Sequence, residues 1–235
     1  MKKYISLCLV LLLGLTLTAC GSSESTSEVD LNQAQPTAGE ESYKENGANN
    51  ANLSEENDHI LVAYFSWANN AILEDDVDAV TSPSVFSPGN VEELASWVQE
   101  ETDGDLFSIQ VTEPYSSDWD TCLERANSEK GEEARPELTN SVENFEDYDV
   151  IFLGYPNWWY GVPMALLSFL EEYDFTDKEV YLFCSHGTGG LAESVEIITE
   201  TIPDAVISDN IFDCYEEDAP SSQEDIQNWV KELGY

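Results

Sequence analysis

The stretch Asp149-Val150-Ile151-Phe152-Leu153-Gly154-Tyr155-Pro156-Asn157-Trp158-Trp159-Tyr160-Gly161 decides the fold. Val150 to Leu153 is an unbroken apolar run with no polar alternation. Such a run suits a strand buried on both faces of a parallel sheet. Gly154, Pro156 and Gly161 are turn residues, so the spacing predicts that the strand stops at Gly154. Between these breakers stand Tyr155, Trp158, Trp159 and Tyr160. Their loop leaves the carboxyl end of a buried strand, where open α/β sheets take up ligands. Flat rings there suit a flat ligand; their plainer use is to seal the sheet against the next helix.

Upstream, Ile60 to Phe65 is a second near-continuous apolar run and reads as the first strand. Ser66-Trp67 ends it, and Ala68 to Phe86 follows as an acidic, irregular stretch. Val91, Leu94, Ala95 and Val98 then recur at helical spacing, with Glu92 and Glu93 in the first turn, where the helix dipole favours acids. Leu106 to Val111 alternates like an edge strand. Thr112 to Glu143 is a long polar crossover with a helix over Trp119–Glu129. Downstream, Pro163 to Glu172 reads as a helix, Val180 to Cys184 as the fourth strand, and Leu191 to Thr201 as a helix. Ala205 to Phe212 reads as the last strand and Gln223 to Leu233 as the terminal helix. Five alternations of strand and helix predict a doubly wound, three-layer α/β/α sandwich around a five-stranded parallel sheet. If its strand order is 2-1-3-4-5, the loops after strands one, three and four converge at the switch point.

Charge narrows the partners. Eight Lys+Arg stand against 48 Asp+Glu, a formal net charge of −40. Such a surface repels nucleic acid and anionic headgroups, leaving cations, neutral molecules and basic protein patches. No C-x-x-C pair occurs among the five cysteines, and His59 and His186 are far apart, so common metal spacings are absent. Cys184 and Cys214 end neighbouring strands, as a disulfide or as two small buried thiols.

At the amino end, Lys2 and Lys3 precede an apolar core, Ile5 to Leu17, too short for an ordinary membrane span. Leu17-Thr18-Ala19-Cys20-Gly21 then resembles a bacterial lipoprotein lipobox. The resemblance implies that residues 1–19 are a signal peptide and that Cys20 is lipidated. Residues 20–57 are rich in Ser, Glu and Asn with almost no apolar content, the composition of a disordered tether. Residues 58–235 are the expected folded domain, held at the extracytoplasmic face of the cell membrane.

Through VAYFSW, DYDVIFLGYPNWWYGVPM and LFCSHGTGG the chain resembles the flavodoxin-like family, more closely its lipoproteins from anaerobic Gram-positive bacteria. The resemblance covers about Ile60 to Tyr235. It implies the flavodoxin-like strand order 2-1-3-4-5 and FMN, with the phosphate in the loop after strand one and the ring between the loops after strands three and four. The family's phosphate loop reads Ser-x-Thr/Ser-Gly-Asn-Thr. Here Ser66-Trp67-Ala68-Asn69-Asn70-Ala71 lacks its glycine and later hydroxyls, whereas Ser87-Pro88-Gly89-Asn90-Val91 leads into the helix as that loop does. Residues 68–86 are therefore taken as an insertion splitting the loop into Ser66-Trp67 and Ser87, Gly89, Asn90, Val91. The rival alignment, a continuous loop over Ser66–Ala71, implies weak or absent FMN binding.

On the ring side the resemblance assigns Tyr155, Pro156, Asn157, Trp158, Trp159 and Gly161 to one loop, with Trp158 or Trp159 against the ring. The other loop contributes Ser185, His186, Gly187, Gly189 and Gly190. His186 is a candidate proton donor or a locally bonded loop residue. The function implied is electron transfer or flavin-dependent oxidoreduction, with a basic redox protein or a small acceptor such as a quinone as partner. A flavin-free surface binding module on the same scaffold is the alternative.

Overall fold

A computed structural model describes residues 59–73, 77 and 82–235. The signal-peptide and tether readings, and Cys20, lie outside the described residues. In chain order the elements are β1 (Ile60–Tyr64), β2 (Ala71–Ile72), α1 (Ser82–Val85), α2 (Asn90–Thr102), β3 (Asp105–Ser108), β4 (Tyr115–Ser116), α3 (Trp119–Gly131), β5 (Val150–Pro156), α4 (Met164–Glu172), β6 (Glu179–His186), α5 (Ser194–Thr201), β7 (Val206–Ile207), β8 (Phe212–Tyr215) and α6 (Gln223–Leu233). The main sheet runs β3-β1-β5-β6, and both β7 and β8 pair with β6. All these pairings are parallel. This is the 2-1-3-4-5 order, with two short segments sharing the fifth position.

The apolar runs earn their strands because both sheet faces are covered. Leu61, Ala63 and Phe65 alternate onto one face with Ile151, Leu153, Tyr155, Val180, Leu182 and Cys184, beneath α4 and α5. Val62, Tyr64, Phe152 and Phe183 face the other way, against Val91, Leu94, Ala95 and Val98 of α2 and Ile226 and Trp229 of α6. Each such large side chain contributes roughly 1.5–3 kcal/mol by leaving water. The same alternation separates two cysteines. Cys184 packs in the first cluster and Cys214 against the second, so they point to opposite faces, and both are free thiols.

Several boundaries differ from the sequence reading, among them β3, which ends at Ser108 and not at Val111. β5 continues through Gly154 to Pro156. Gly154 pairs with Phe183, whose ring would lie 2.2 Å from a Cβ there, so this glycine serves packing and not a turn. The last strand is not continuous over 205–212. Val180 pairs with Ile207 and Phe183 with Phe212, so the longer chain loops out between β7 and β8. α5 starts at Ser194, because turns with Gly190 and Ala192 at positive φ occupy the residues before it. The stretch after Trp67 also has order of its own. Ala68–Asn70 forms a short 3-10 turn, and β2 pairs in parallel with β4 in a separate two-stranded sheet.

Candidate functional site

β1, β5 and β6 end side by side, and their loops meet. Ser66 and Trp67 leave β1 buried. A Cβ placed on Gly89 would lie 2.6 Å from Ser66 Oγ, 2.8 Å from Ala68 Cβ and 3.0 Å from the Ser84 carbonyl oxygen. Gly89 thus seats the chain entering α2 directly on the chain leaving β1. Asn70, buried in the intervening turn, donates through Nδ2 to the carbonyls of Ser66 and Ile109, both at 2.9 Å. Its Oδ1 accepts the Val111 N–H at 2.8 Å. That side chain is spent on structure.

Asn90, the first residue of α2, reaches across the site. Its Nδ2 donates to the Glu216 carbonyl at 2.9 Å and to Ser185 Oγ at 3.3 Å. Val91 is buried beside it. Ser66, Ser84, Asn90, Val91, Pro156 and Ser185 contribute to a hollow of about 70 Å³. Ser87 and Gly89 are placed differently. The Ser87 hydroxyl and the Gly89 N–H both donate to Glu92 Oε2, at 3.2 and 3.3 Å.

The hollow opens past Trp67, Asn157, Trp158 and Gly187 into a cleft of about 320 Å³, at the lower end of the size of small-molecule sites. One wall is the aromatic loop. Trp158 and Gly161 exchange backbone hydrogen bonds of 3.3 and 2.9 Å, closing a two-residue turn. Its central residues, Trp159 and Tyr160, lie at φ 53° and 59°. That left-handed pair favours Asn and Gly, and holding bulky residues there costs roughly 1–2 kcal/mol each. Tertiary contacts impose it. Lys130 Nζ donates to the Trp159 carbonyl at 2.7 Å, and the Glu193 N–H to the Tyr160 carbonyl at 3.1 Å. Trp159 Nε1 donates to the Leu123 carbonyl at 3.3 Å.

The four rings of the loop therefore have different places. Tyr155 is wholly buried, with its hydroxyl 3.0 Å from Ser194 Oγ, and does not line the cleft. Burial pushes its phenol well above the ordinary pKa. Trp158 stands edge-on to Phe65, Tyr115 and Trp67, at centroid separations of 5.5, 5.2 and 6.2 Å. Trp159 lines the cleft. Tyr160, 61% exposed, lies at its mouth.

The loop after β6 is latched to this wall. The Asn157 N–H donates to the Ser185 carbonyl at 2.9 Å, and Asn157 Nδ2 to the Gly190 carbonyl at 2.6 Å. A Cβ on Gly189 would come 3.1 Å from the Tyr160 ring. Gly187 lies against the Glu216 carboxylate, and Gly161 beneath Ile197. His186 is pinned by its own neighbourhood, with Nε2 2.7 Å from Asp213 Oδ1 and Nδ1 2.9 Å from the Gly187 carbonyl.

A further part of the lining, beside Trp159, was not singled out from sequence. Trp119, Cys122, Leu123 and Ala126 of α3 line the cleft. Their i, i+3, i+4, i+7 spacing, inside a crossover otherwise polar, was the legible signal. Asp118 caps this helix, its Oδ1 accepting the Thr121 N–H at 2.9 Å. Arg125 sits 3.9 Å over the Tyr115 ring and bonds Glu129, which also accepts the Tyr115 hydroxyl. Burial pushes the Cys122 thiol up to about 12, so it stays protonated at neutral pH. Tyr215, the last residue of β8, and Glu216 after it complete the rim. The lining carries, among the described residues, the Glu216 carboxylate and neither Lys nor Arg. Among the described residues, no three His, Cys, Asp or Glu gather as a metal site.

A family model described as flavodoxin matches residues 80–233. The chain belongs to the flavodoxin family. A curated flavodoxin from Haemophilus influenzae is 31% identical over 99 residues, which span 40% of this chain and 42% of that flavodoxin. Among solved structures, a Bacteroides eggerthii protein classed as a flavoprotein aligns at 25% identity with a TM-score of 0.55, covering 75% of this flavodoxin-family chain and 98% of the other. A similar protein from Bacteroides uniformis aligns at 24% identity and TM-score 0.56, covering 74% and 98%. A Lactobacillus acidophilus flavoprotein in complex with FMN aligns at 17% identity and TM-score 0.50, covering 71% and 99%. The last two show likeness of fold. The family match begins beyond β1 and Ser66-Trp67, so the first half of the interrupted loop lies outside it.

Proposed function

We propose that this chain holds FMN across the ends of β1, β5 and β6 and carries electrons while tethered through Cys20 to the outer face of the membrane. Its partner is a redox protein with a basic patch or a small acceptor such as a quinone. One observation carries the reading. Gly89 rests on Ser66, so the two halves of the interrupted loop form one cradle, and its hollow leads into an aromatic cleft. The donor set fits a phosphate held without Lys or Arg among the described residues: the Ser66 and Ser185 hydroxyls and the amino end of α2. The engagement of Asn70 counts against a continuous loop over Ser66–Ala71. The flavoprotein relatives support the same cofactor.

When bound, FMN supplies one- and two-electron redox chemistry. The chain's residues bind and shield it. Trp159 and Tyr160, with Trp119 and Leu123 of α3, offer apolar and flat surface in the cleft and exclude water from it. Gly187 and Gly189 let the β6 loop approach without side chains in the way. The bonds of His186 to Asp213 and Gly187 suit a positioning role for the loop.

Glu92 favours the second reading, a flavin-free binding module, because it already occupies two expected phosphate donors. Colour separates the two. The full chain, purified and then mixed with FMN, is expected to retain flavin absorption through gel filtration. A colourless protein that cannot be reconstituted sinks the flavin reading.

A further inference from the structure

Six aromatic residues line the cleft: Trp67, Trp119, Trp158, Trp159, Tyr160 and Tyr215. Three of them still face water, Tyr160 being 61%, Trp119 42% and Tyr215 36% exposed. They come from the turn after β5, the start of α3 and the end of β8, so three separate segments bring rings to one cleft. A single exposed ring is ordinary on a protein surface, but three around one cleft mark a binding surface. The charge among them is negative and unanswered. Glu216 lines the same cleft. Its backbone is engaged, the N–H donating to the His186 carbonyl at 2.8 Å and the carbonyl accepting Asn90 Nδ2 at 2.9 Å. Its carboxylate makes neither a hydrogen bond nor an ion pair with the described residues. A Cβ on Gly187 would lie 3.4 Å from Glu216 Oε1, and one on Gly189 3.1 Å from the Tyr160 ring, so carboxylate and ring flank the same short loop. The basic groups near the cleft are turned elsewhere, Lys130 Nζ to the Trp159 carbonyl and the His186 ring to Asp213. A net charge of −40 raises the concentration of cations around the whole surface.

We propose that the mouth of this cleft binds a flat aromatic cation, of the N-alkylpyridinium class, among the exposed rings of Trp119, Tyr160 and Tyr215 and beside the Glu216 carboxylate. Two forces act together. The face of an aromatic ring attracts a cation through its quadrupole, and Trp and Tyr do so best. The unpaired carboxylate adds a full charge where no Lys or Arg among the described residues of the lining opposes it. A flat anion meets the same rings and is repelled by the same carboxylate. The binding rests on the lining alone. It adds flat cations to the small acceptors considered above, and that use rests on the flavin reading.

Isothermal titration calorimetry of the full chain tests it, with methyl viologen as the flat dication. Its bis(sulfonatopropyl) counterpart keeps the rings and removes the net charge. 1,4-Diaminobutane keeps two charges and removes the rings. Methyl viologen is expected to bind about tenfold more tightly than either. Tyr160→Leu and Trp119→Leu are each expected to weaken it about two- to fivefold, the order of an exposed cation–π contact. Glu216→Gln is expected to weaken it about fivefold. Glu100→Gln removes the same charge from the exposed far end of α2, about 15 Å along the helix from Asn90, and is expected to move it less than about twofold. Diaminobutane binding as tightly as methyl viologen overturns the proposal, because charge alone then suffices. The sulfonated counterpart binding as tightly overturns it too, because the rings alone then suffice. So do two aromatic variants with unchanged affinity, or a Glu100→Gln loss equal to that of Glu216→Gln. Repeating the titration with FMN separates the two readings. A chain that binds methyl viologen but retains no FMN loses the flavin reading and the acceptor role, and keeps the cation site. A chain that retains FMN and binds methyl viologen no better than diaminobutane keeps the flavin and loses the site.

Discussion

At the scale of single residues, Gly89 and Tyr160 make opposite demands. Gly89 is required because there is no room. A methyl group would fall 2.6 to 3.0 Å from atoms of Ser66, Ala68 and Ser84, one of them backbone. Gly89→Ala is therefore expected to cost about 1–3 kcal/mol in urea unfolding and to weaken flavin binding. A variant as stable as the parent, with unchanged affinity, contradicts the close seating of the two loop halves. Tyr160 is present despite its backbone. At φ 59° and 61% exposed, it gains little from packing and holds a conformation that Asn tolerates. Tyr160→Asn is expected to raise stability by about 0.5–1 kcal/mol while lowering flavin affinity. A loss of stability would mean that the ring's contact with Gly189 outweighs the backbone strain.

At the scale of elements, α3 is a wall of the cleft, and its first turn depends on Asp118. Two hydrogen bonds from Thr121, side chain and backbone, hold the Asp118 carboxyl below its usual pKa. A carboxylate whose folded pKa is depressed adds stability above its unfolded pKa and loses it as pH falls through the folded one. Asp118→Ala is thus expected to lower the melting temperature at neutral pH. The gap to the parent should narrow as pH drops below the ordinary Asp range. A gap independent of pH would show that the charge of the cap contributes nothing. The paired walls also explain why aromatics tolerate the left-handed turn. Lys130 and the Leu123 carbonyl of α3 grip Trp159, and Glu193, just before α5, grips the Tyr160 carbonyl.

At the scale of the whole molecule, the charge of −40 governs what the site can hold and meet. Self-repulsion of that size is screened by salt, so stability is expected to rise between low and moderate ionic strength. A melting temperature that falls with added sodium chloride contradicts this. Adding electrons to a flavin beside the Glu216 carboxylate, with neither Lys nor Arg among the described residues that line the cleft, is unfavourable. The bound couple is therefore expected to lie more negative than free FMN in a potentiometric titration. A more positive couple would refute the argument.

The sequence by itself determined the buried strands and their helical cover. Runs such as Val150–Leu153 and Ile60–Phe65 have no polar face, so only burial on both sides satisfies them, and the helical spacing of Val91, Leu94, Ala95 and Val98 supplies a cover. The order of the strands, which decides that three loops meet, follows from packing and agrees with the flavodoxin-like order that the sequence resembles. The sequence could not say which aromatic does what. Tyr155 and Trp158 look alike in a string, yet the pleat turns Tyr155 into the core and the turn leaves Trp158 beside the cleft. Nor could it place α3 beside them, since a crossover helix has its address set by packing. Gly154 reads as a turn and is a strand residue, because what decides it is the Phe183 ring on the neighbouring strand. Periodicity is local and survives in the sequence. The seating of Gly89 on Ser66 depends on contact between segments that come together only when the chain folds.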